Sequence, residues 1–303
     1  MVDPLAEVVT LLQPAARFSK LVVGAGPWRV SRSDAGQPFY CAVLEGGCRI
    51  AAHGREAIEL QSGDFVLIPA ADGLSISSLE PPAPGMRPSS PVAVGNGEFR
   101  IGDPHATPDL RLMGGHCSFG SPDAALLVSL LPQLVHVRGE QRLATLVQLV
   151  REETREQRPA RDVVLSRLLE VLLIEALRSS AGTDASPGLV RGLADGRLAG
   201  AIRRMHERPT HAWTVAELAK EAALSRSTFF ERFQREVGVA PMEYLLAWRM
   251  ALAKDLLRRN GGRMAEIAER VGYASASTFS VAFTRHVGRP PTQYAREQAA
   301  PAM

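Results

Sequence analysis

The chain has 303 residues, of which 46% are hydrophobic and 22% are charged, values typical of soluble globular proteins, and this length allows two domains. It contains no run of about 18 apolar residues and only three cysteines, which predicts neither a transmembrane helix nor a secreted disulfide framework. The acidic, amphipathic start of the chain lacks the basic segment of a signal peptide, so we expect a cytoplasmic protein with no membrane partner.

Charge is distributed unevenly along the chain. Residues 195–303 contain 17 Lys and Arg against 11 Asp and Glu, a net charge of +6, whereas residues 1–194 contain 18 against 21, a net charge of −3. A basic C-terminal third indicates a polyanionic partner such as nucleic acid, although six excess charges also fit a solvated surface.

Residues 1–135 contain short apolar runs separated by Gly, Pro, Asp and Ser. "FYCAVLEGGCRIAAHG" (39–54) predicts a hairpin of two alternating strands around Glu45-Gly46-Gly47. "GDFVLIPAADGLSISS" (63–78) predicts a turn, a buried strand, a loop containing Pro69 and a further strand. Many short strands with such turns are typical of a β-sandwich or barrel.

On the predicted hairpin, Cys41 and Cys48 share one face, about 7–8 Å apart or further. A disulfide prefers Cα atoms closer than about 6.8 Å, so we expect no pre-formed bridge. Two interpretations of the cysteines remain open, namely packing as small apolar side chains and redox sensing.

The segments "RLATLVQLVREETREQ" (142–157) and "RDVVLSRLLEVLLIEALRSS" (161–180) have the apolar spacing of helices. The second carries more apolar surface than one packed face needs, which indicates burial under another element or a protein–protein interface. "SAGTDASPGLVRGLADGR" (180–197) is rich in Gly, Ser and Asp in its first half and predicts an interdomain linker.

The C-terminal third contains a repeat. "LSRSTFFERFQREVG" (224–238) returns as "ASASTFSVAFTRHVG" (274–288), and "TVAELAKEAALS" (214–225) before it returns as "MAEIAERVGYAS" (264–275). Thr214 with Glu217 predicts a capping box, and Ser225 and Ser275 are the expected N-caps of the second helix of each copy.

Each copy has the pattern of a helix-turn-helix. In the second helix one face is apolar: Phe229, Phe233 and Val237, repeated as Phe279, Phe283 and Val287. The opposite face carries Ser227, Phe230, Glu231 and Gln234 in the first copy, and Ser277, Ser280, Val281 and Thr284 in the second. Phe230 either contacts a thymine methyl group or packs on a neighbouring helix.

"PMEYLLAWRMALAKDLLRRN" (241–260) predicts a helix of about 30 Å between the copies. Two recognition helices joined in this way can enter successive major grooves, about 34 Å apart on one face of B-DNA.

Residues 197–296 resemble the DNA-binding domain of the AraC/XylS family of transcription regulators, whose usual signature is "IAERVGYASASTFSVAFTRHVGRPPTQYAR" (267–296). The resemblance implies that promoter DNA and RNA polymerase are partners and that the first recognition helix contacts bases more strongly than the second. Several arginines, Arg232 among them, are candidates for phosphate contacts. The candidate DNA-binding residues are Arg226, Ser227, Phe230, Glu231, Gln234, Arg235, Arg249, Ser277, Ser280, Val281 and Arg285.

Gly63-Asp64…Pro69 resembles the second cupin motif. Together with "GPWRV" (26–30) and "GGHCSFG…LLPQLVHV" (114–137) it resembles the cupin-type effector domain of one AraC subgroup, which includes a sensor of reactive chlorine species. Leu74 and Tyr40-Cys41 stand where metal-binding cupins have histidines, so we expect no metal, no cofactor and no enzyme activity. A barrel without metal is still a cavity for a ligand. The candidate ligand-binding or redox residues are Phe39, Cys41, Cys48, Ile50, Leu74 and Cys117.

The sequence thus predicts an α+β protein. Its parts are an N-terminal cupin-like β-barrel (1–138), a helical dimerisation region (139–180), a linker (181–196) and a C-terminal all-α domain with two helix-turn-helix units (197–303). We expect a homodimeric regulator controlled by a small-molecule or oxidant effector. The alternatives are a metal-dependent cupin enzyme that carries a DNA-binding domain, and an architectural DNA-binding protein without an effector.

Overall fold

The computed structural model describes residues 2–32, 36–52, 54, 56–80, 82, 88–95, 97–120, 124–156, 158–180, 187–259 and 262–299. The chain divides into two compact units. The β unit comprises Leu12–Val128 and Pro132–Ser186, and the helical unit comprises Met1–Leu11, Ser129–Leu131 and Pro187–Met303. The predicted α+β class is confirmed.

The strands are β1 (Pro14–Ala25), β2 (Arg29–Arg32), β3 (Gln37–Ala51), β4 (Ile58–Gln61), β5 (Asp64–Ala71), β6 (Leu74–Ser78), β7 (Val92–Gly95), β8 (Glu98–Gly102), β9 (Leu110–Phe119) and β10 (Val135–Arg138). The helices are α1 (Pro4–Leu12), α2 (Ala124–Val128), α3 (Gln141–Arg155), α4 (Arg161–Ser179), α5 (Leu189–Ala194), α6 (Leu198–Glu207), α7 (Val215–Glu221), α8 (Arg226–Val237), α9 (Pro241–Arg258), α10 (Met264–Arg270), α11 (Ala276–Val287) and α12 (Pro291–Ala299). Within the described residues no helix is long and apolar enough to cross a membrane.

The β unit is a curled, cupin-like sheet. Its main path runs β10-β5-β3-β9-β1-β8-β7, with β4 and β6 added along β3 and β2 paired to β6. The pairing is antiparallel except between β1 and β8. One face of the sheet encloses an apolar core that includes Trp28, Phe39, Ile50 and Leu112.

The predicted hairpin at residues 39–54 is wrong, because β3 is a single bent strand of 15 residues. Its register shifts between Val43 and Glu45, and Gly46 has a φ of +74°. A Cβ atom at Gly46 would lie 1.8 Å from the carbonyl oxygen of Asp109, so only glycine permits this approach of the two backbones. The two glycines therefore mark a bulge inside one strand rather than a turn between two.

Pro69 lies inside β5 and not in the expected loop. The register between β3 and β5 shifts between Gln37 and Phe39, next to Pro69. Proline has no N–H to donate to a ladder, and a bulge is one of the positions in a sheet that tolerates it.

The two helices expected at 142–180 are present as α3 and α4, and α4 packs against α3 and β1. Its inner face is buried through Leu165, Leu169, Leu172, Leu173, Ala176 and Leu177. On its outer face Val163, Val164 and Val171 stay exposed.

The boundary of the helical unit differs from the expected linker at 181–196. Residues 181–186 lie outside the described residues, and residues 189–194 form α5. Two ion pairs fix this segment to α8, Arg191 to Glu236 and Asp195 to Arg232, each at 2.6 Å. Residues 1–11, expected in the cupin-like part, also belong to the helical unit.

The repeat in the helical unit folds twice into the same arrangement. The hydroxyls of Ser225 and Ser275 accept from the backbone N–H of Thr228 and Thr278, each at 3.2 Å, and Thr214 and Glu217 form the predicted capping box. Gly238 and Gly288 end α8 and α11 with φ of +89° and +82°, a conformation that glycine adopts without strain.

Candidate nucleic-acid interface and effector cavity

An aromatic triad anchors each second helix. Ring centroids are 5.6 Å apart for Phe229–Phe233 and 5.8 Å for Phe233–Tyr244. The second copy repeats these distances at 5.5 Å for Phe279–Phe283 and 5.6 Å for Phe283–Tyr294. All six rings are buried, so the triads fix which face of α8 and α11 is turned outward.

The outward face of α8 consists of the residues that the sequence predicts. Ser227, Glu231 and Gln234 are exposed, and the Phe230 side chain is 39% exposed. Phe230 is therefore a partly exposed surface residue beside three polar side chains.

The outward face of α11 is smaller. Ser277 is exposed and Val281 is 68% exposed, whereas Ser280 and Thr284 are half-buried. The Thr284 hydroxyl donates to the Ser280 carbonyl at 2.7 Å, within the helix. This face therefore offers fewer groups for base contacts than α8.

The candidate arginines divide into two groups. Arg226 and Arg285 are exposed, as is Arg235, which pairs with Glu236 at 2.9 Å. Arg232, in contrast, is held by Asp195.

Arg249, which the sequence predicts to bind DNA, is held by protein groups instead. Its Nε and Nη2 donate to the carbonyls of Pro209 and His211, both at 2.7 Å, and burial lowers the pKa of its guanidinium. Because its donors are engaged by the loop between α6 and α7, Arg249 has a structural role and does not belong to the outward face.

A buried histidine cluster joins α1 to the rest of the helical unit. His206 Nδ1 lies 2.8 Å from Glu7 Oε2, and Nε2 lies 2.7 Å from the Tyr244 hydroxyl. The ring stacks on Trp248 with centroids 4.1 Å apart. Burial lowers the pKa of His206, and the hydrogen bond to Glu7 opposes that shift. Sequence reasoning missed this cluster because Glu7 and His206 are 199 positions apart and neither belongs to a motif.

The curled sheet contains a cavity with about 620 Å³ of empty space, including the solvent at its open mouth. Seven large apolar side chains line it: Val22, Trp28, Val30, Phe39, Ile76, Ile101 and Leu112. Lys20, Arg32 and His116 also line it, and the His116 ring lies 5.2 Å from that of Phe39 between centroids.

Of the predicted ligand or redox residues, only Phe39 lines this cavity. Cys41, Cys48, Ile50 and Leu74 belong to the surrounding apolar core, and Cys117 lines a second depression with Gln37 and Phe119. Sequence reasoning missed Lys20, Arg32 and Trp28 as cavity residues. The sequence does contain a signal that could have identified Arg32 as a cavity residue. Arg32 follows Val30 by two positions, which places both side chains on one face of a strand.

The three cysteines are buried thiols with no disulfide. Burial raises the pKa of Cys48 and Cys117 to about 12, and burial also raises the pKa of Cys41 well above its usual range. In the strand register, Cys41 lies opposite Val66 of β5 and Gly114 of β9, whereas Cys48 lies opposite Leu60 of β4 and Ser78 of β6. The two thiols therefore lie on the two halves of the bent strand.

The positions of the missing cupin histidines are occupied by buried side chains, Tyr40, Cys41 and Leu74. Across the residues that the structure describes, no group of three or more His, Cys, Asp or Glu side chains could hold a metal ion.

Comparison with known proteins identifies the family. A family described as cupin matches residues 3–182, more than half of the chain, and one described as a helix-turn-helix domain matches residues 218–297. An AraC-like transcription regulator of Streptomyces lividans is 36% identical over 99% of this chain and 100% of its own length. This chain belongs to the AraC-type transcription regulators.

Two further relatives agree. An AraC-like transcription regulator of Streptomyces antibioticus is 37% identical over 96% of this chain and 98% of its own length. The RCS-specific HTH-type transcriptional activator RclR of Escherichia coli is 33% identical over 49% of this chain and 52% of its own length. The predicted resemblance to AraC regulators with a cupin-type N-terminal part is confirmed.

Proposed function

We propose that this AraC-type regulator reads operator DNA mainly through α8, with α11 in the next major groove, and that a small molecule in the cavity of the β unit controls it. The outward face of α8 carries the DNA part of the proposal. Four exposed side chains of different chemistry, Ser227, Phe230, Glu231 and Gln234, stand on a helix fixed from behind by a buried aromatic triad.

The arginines supply the second part of the DNA interface. Arg226 at the start of α8 and Arg285 on α11 are exposed, and Arg235 is also exposed. Contacts between arginine side chains and DNA phosphates position a protein on the duplex without reading sequence. Arg249 and Arg232 are left out of the interface because protein groups hold them.

The cavity supplies the effector site. Its wall is mainly apolar, as the walls of small-molecule sites usually are. An effector acts here through a population shift, by stabilising one arrangement of the β unit over another. The metal-ligand positions of a cupin enzyme hold Tyr40, Cys41 and Leu74, and we therefore favour a regulator without enzyme activity. We further propose that it acts in the cytoplasm and recruits RNA polymerase.

Dimerisation through α4 completes the proposal. Val164, Leu168 and Val171 follow one another at i, i+4 and i+7 and form an outward stripe, of which both valines are exposed. An exposed apolar stripe on a packed helix fits a second copy of the same stripe.

Selection of bound duplexes from a randomised DNA pool by the full-length protein tests the proposed DNA interface. We expect two preferred blocks with centres about 10 bp apart, one clearly better defined than the other. Repeating the selection with Phe230→Ala should relax the better-defined block only. A single block, or relaxation of the weaker block, would show that α8 is not the main reading helix.

A further inference from the structure

Glu231 is an acidic side chain on the helix face that meets DNA in the proposed function. It lies on α8 between Phe229 and Phe233, the two buried phenylalanines of the first triad, and its own side chain is exposed on the opposite face. DNA phosphates repel a carboxylate. Glu231 therefore costs affinity for every duplex unless a hydrogen-bond donor in the groove compensates for the repulsion.

Two arginines close to Glu231 on α8 are engaged by other carboxylates. Arg232 pairs with Asp195 at 2.6 Å. Arg235, one turn further along the helix, pairs with Glu236 at 2.9 Å. Within the part of the chain that the structure describes, the Glu231 side chain has no hydrogen-bond or ion-pair partner. Its negative charge is therefore available to a group outside the protein.

The major-groove edges of the four bases differ in what they offer a carboxylate. Cytosine presents its N4 amino group as a donor, whereas adenine presents its N6 donor next to the acceptor N7. Guanine presents two acceptors, and thymine presents an acceptor and a methyl group. An ionised carboxylate only accepts hydrogen bonds, so cytosine is the one base that meets it with a donor and with no acceptor on its own edge.

The second copy carries a different chemistry at the equivalent place. Val281 lies on α11 between the two phenylalanines of the second triad, as Glu231 lies between those of the first, and it is 68% exposed. A valine side chain forms no hydrogen bond, but contact with a thymine methyl group removes both apolar groups from water. The two recognition helices therefore present an acceptor and an apolar group at equivalent positions.

We propose that Glu231 selects a cytosine in the DNA block read by α8 and that Val281 selects a thymine at the equivalent position of the block read by α11. The inference rests on the proposed function, because it names the bases that two residues of the same interface read. Glu231 also disfavours other sequences, since its charge weakens binding to every duplex that lacks the cytosine.

Selection from a randomised DNA pool by full-length variants tests the assignment. Glu231→Gln replaces the carboxylate by an amide, which pairs with N6 and N7 of adenine, so one cytosine of the better-defined block should become adenine. Glu231→Val should change the same position to thymine. Val281→Glu should introduce a cytosine into the weaker block. Both positions are exposed, so the thermal midpoints of the variants should equal that of the wild type.

Titration of individual duplexes measures the size of the preference. The wild type should bind the selected operator at least about fivefold more tightly than duplexes with another base at the cytosine position. Glu231→Gln should reverse the order of the cytosine and adenine duplexes. Glu269→Gln is the matched control, because Glu269 is also exposed but lies on α10, outside both recognition helices. It removes the same charge and should leave the base preference unchanged.

The outcomes distinguish this inference from the proposed function. Two blocks whose cytosine persists in both Glu231 variants, or is absent from the better-defined block, overturn the assignment of Glu231 and leave reading by two helices in place. Equal tightening of all duplexes by Glu231→Gln also overturns it, because the charge then acts without a base contact. A weaker block that Val281→Glu leaves unchanged overturns the assignment of Val281.

A single block selected by the wild type contradicts the proposed function and, with it, the assignment of Val281. The assignment of Glu231 is then decided separately. Exchange of cytosine for adenine in that block by Glu231→Gln supports it, and an unchanged block overturns it.

Discussion

At the scale of single residues, Phe230 gives the sharpest test of base reading. Its ring stands exposed on α8, where contact with a thymine methyl group would bury it. We expect Phe230→Ala to weaken binding to the selected operator by about 1–3 kcal/mol and to leave binding to unrelated DNA nearly unchanged.

Val281→Ala on α11 is the matched control for Phe230→Ala. Val281 is 68% exposed but belongs to the copy with the smaller outward face, so its truncation should cost less operator affinity. Equal losses on specific and unrelated DNA, accompanied by a lower thermal midpoint, would place Phe230 in the core and contradict our assignment of the α8 face.

Arg249 and Arg226 separate a structural arginine from one that contacts phosphate. Loss of the two charged hydrogen bonds of Arg249 should destabilise Arg249→Gln by about 1.5–3 kcal/mol in urea unfolding. Arg226→Gln should leave stability unchanged and reduce the salt dependence of DNA binding by about one phosphate contact. A stable Arg249→Gln variant with a reduced salt slope would return Arg249 to the DNA interface.

His206 makes the stability of the helical unit depend on pH. Burial holds its pKa below the value of about 6.5 that it regains on unfolding, so the unfolded chain takes up the proton first as pH falls. Stability contributed by neutral His206 is present above pH 6.5 and declines below it. We expect the thermal midpoint of the helical unit to fall between pH 7.5 and pH 5.5, and to fall less in His206→Gln. An identical pH profile in the variant would assign the effect to other groups.

At the scale of elements, the helix-turn-helix copies could be predicted because their signals are local. N-caps, terminating glycines and apolar stripes act within about four residues, and the repeat shows each of them twice. β3 could not be predicted in this way. The role of Gly46 depends on its approach to Asp109, which is 63 positions away and becomes a neighbour only in the folded sheet.

The residues that line the cavity could not be predicted from local sequence patterns either. Lys20 and Arg32 face it from β1 and β2, strands that do not pair with each other, so no spacing along the chain relates the two charges. The apolar surface of α4, in contrast, was visible in the sequence as an excess over one packed face. The structure divides that surface into a buried inner face and an exposed outer stripe.

The α4 stripe predicts the state of assembly. We expect the full-length protein to sediment as a dimer at tens of micromolar, and the double variant Val164→Lys/Val171→Lys to sediment as a monomer with unchanged helical content. Val163→Lys is the control, since Val163 is equally apolar and more exposed but lies off the stripe. A monomeric wild type, or a dimer that survives the double substitution, would show that α4 is not the interface.

At the scale of the whole molecule, sensing of a ligand by the cavity and sensing of an oxidant by the cysteines lead to different predictions. The reactive form of a cysteine is the thiolate, and burial keeps all three thiols protonated at neutral pH. Any redox response should therefore be slow with peroxide and favour hypochlorous acid, because hypochlorous acid is the intrinsically faster oxidant of thiols and depends less on the thiolate form.

A triple Cys41→Ala, Cys48→Ala, Cys117→Ala variant decides between the two mechanisms. Alanine is preferable to serine at these sites, because a buried hydroxyl without a hydrogen-bond partner is destabilising. We expect reporter output in cells to respond to the inducing small molecule in the variant as in the wild type, because the three thiols lie outside the cavity wall. A variant that still binds the selected operator but no longer responds would make the cysteines the sensor. A response lost in the cavity-filling variant Ile76→Trp and kept in the triple variant would instead assign sensing to the cavity.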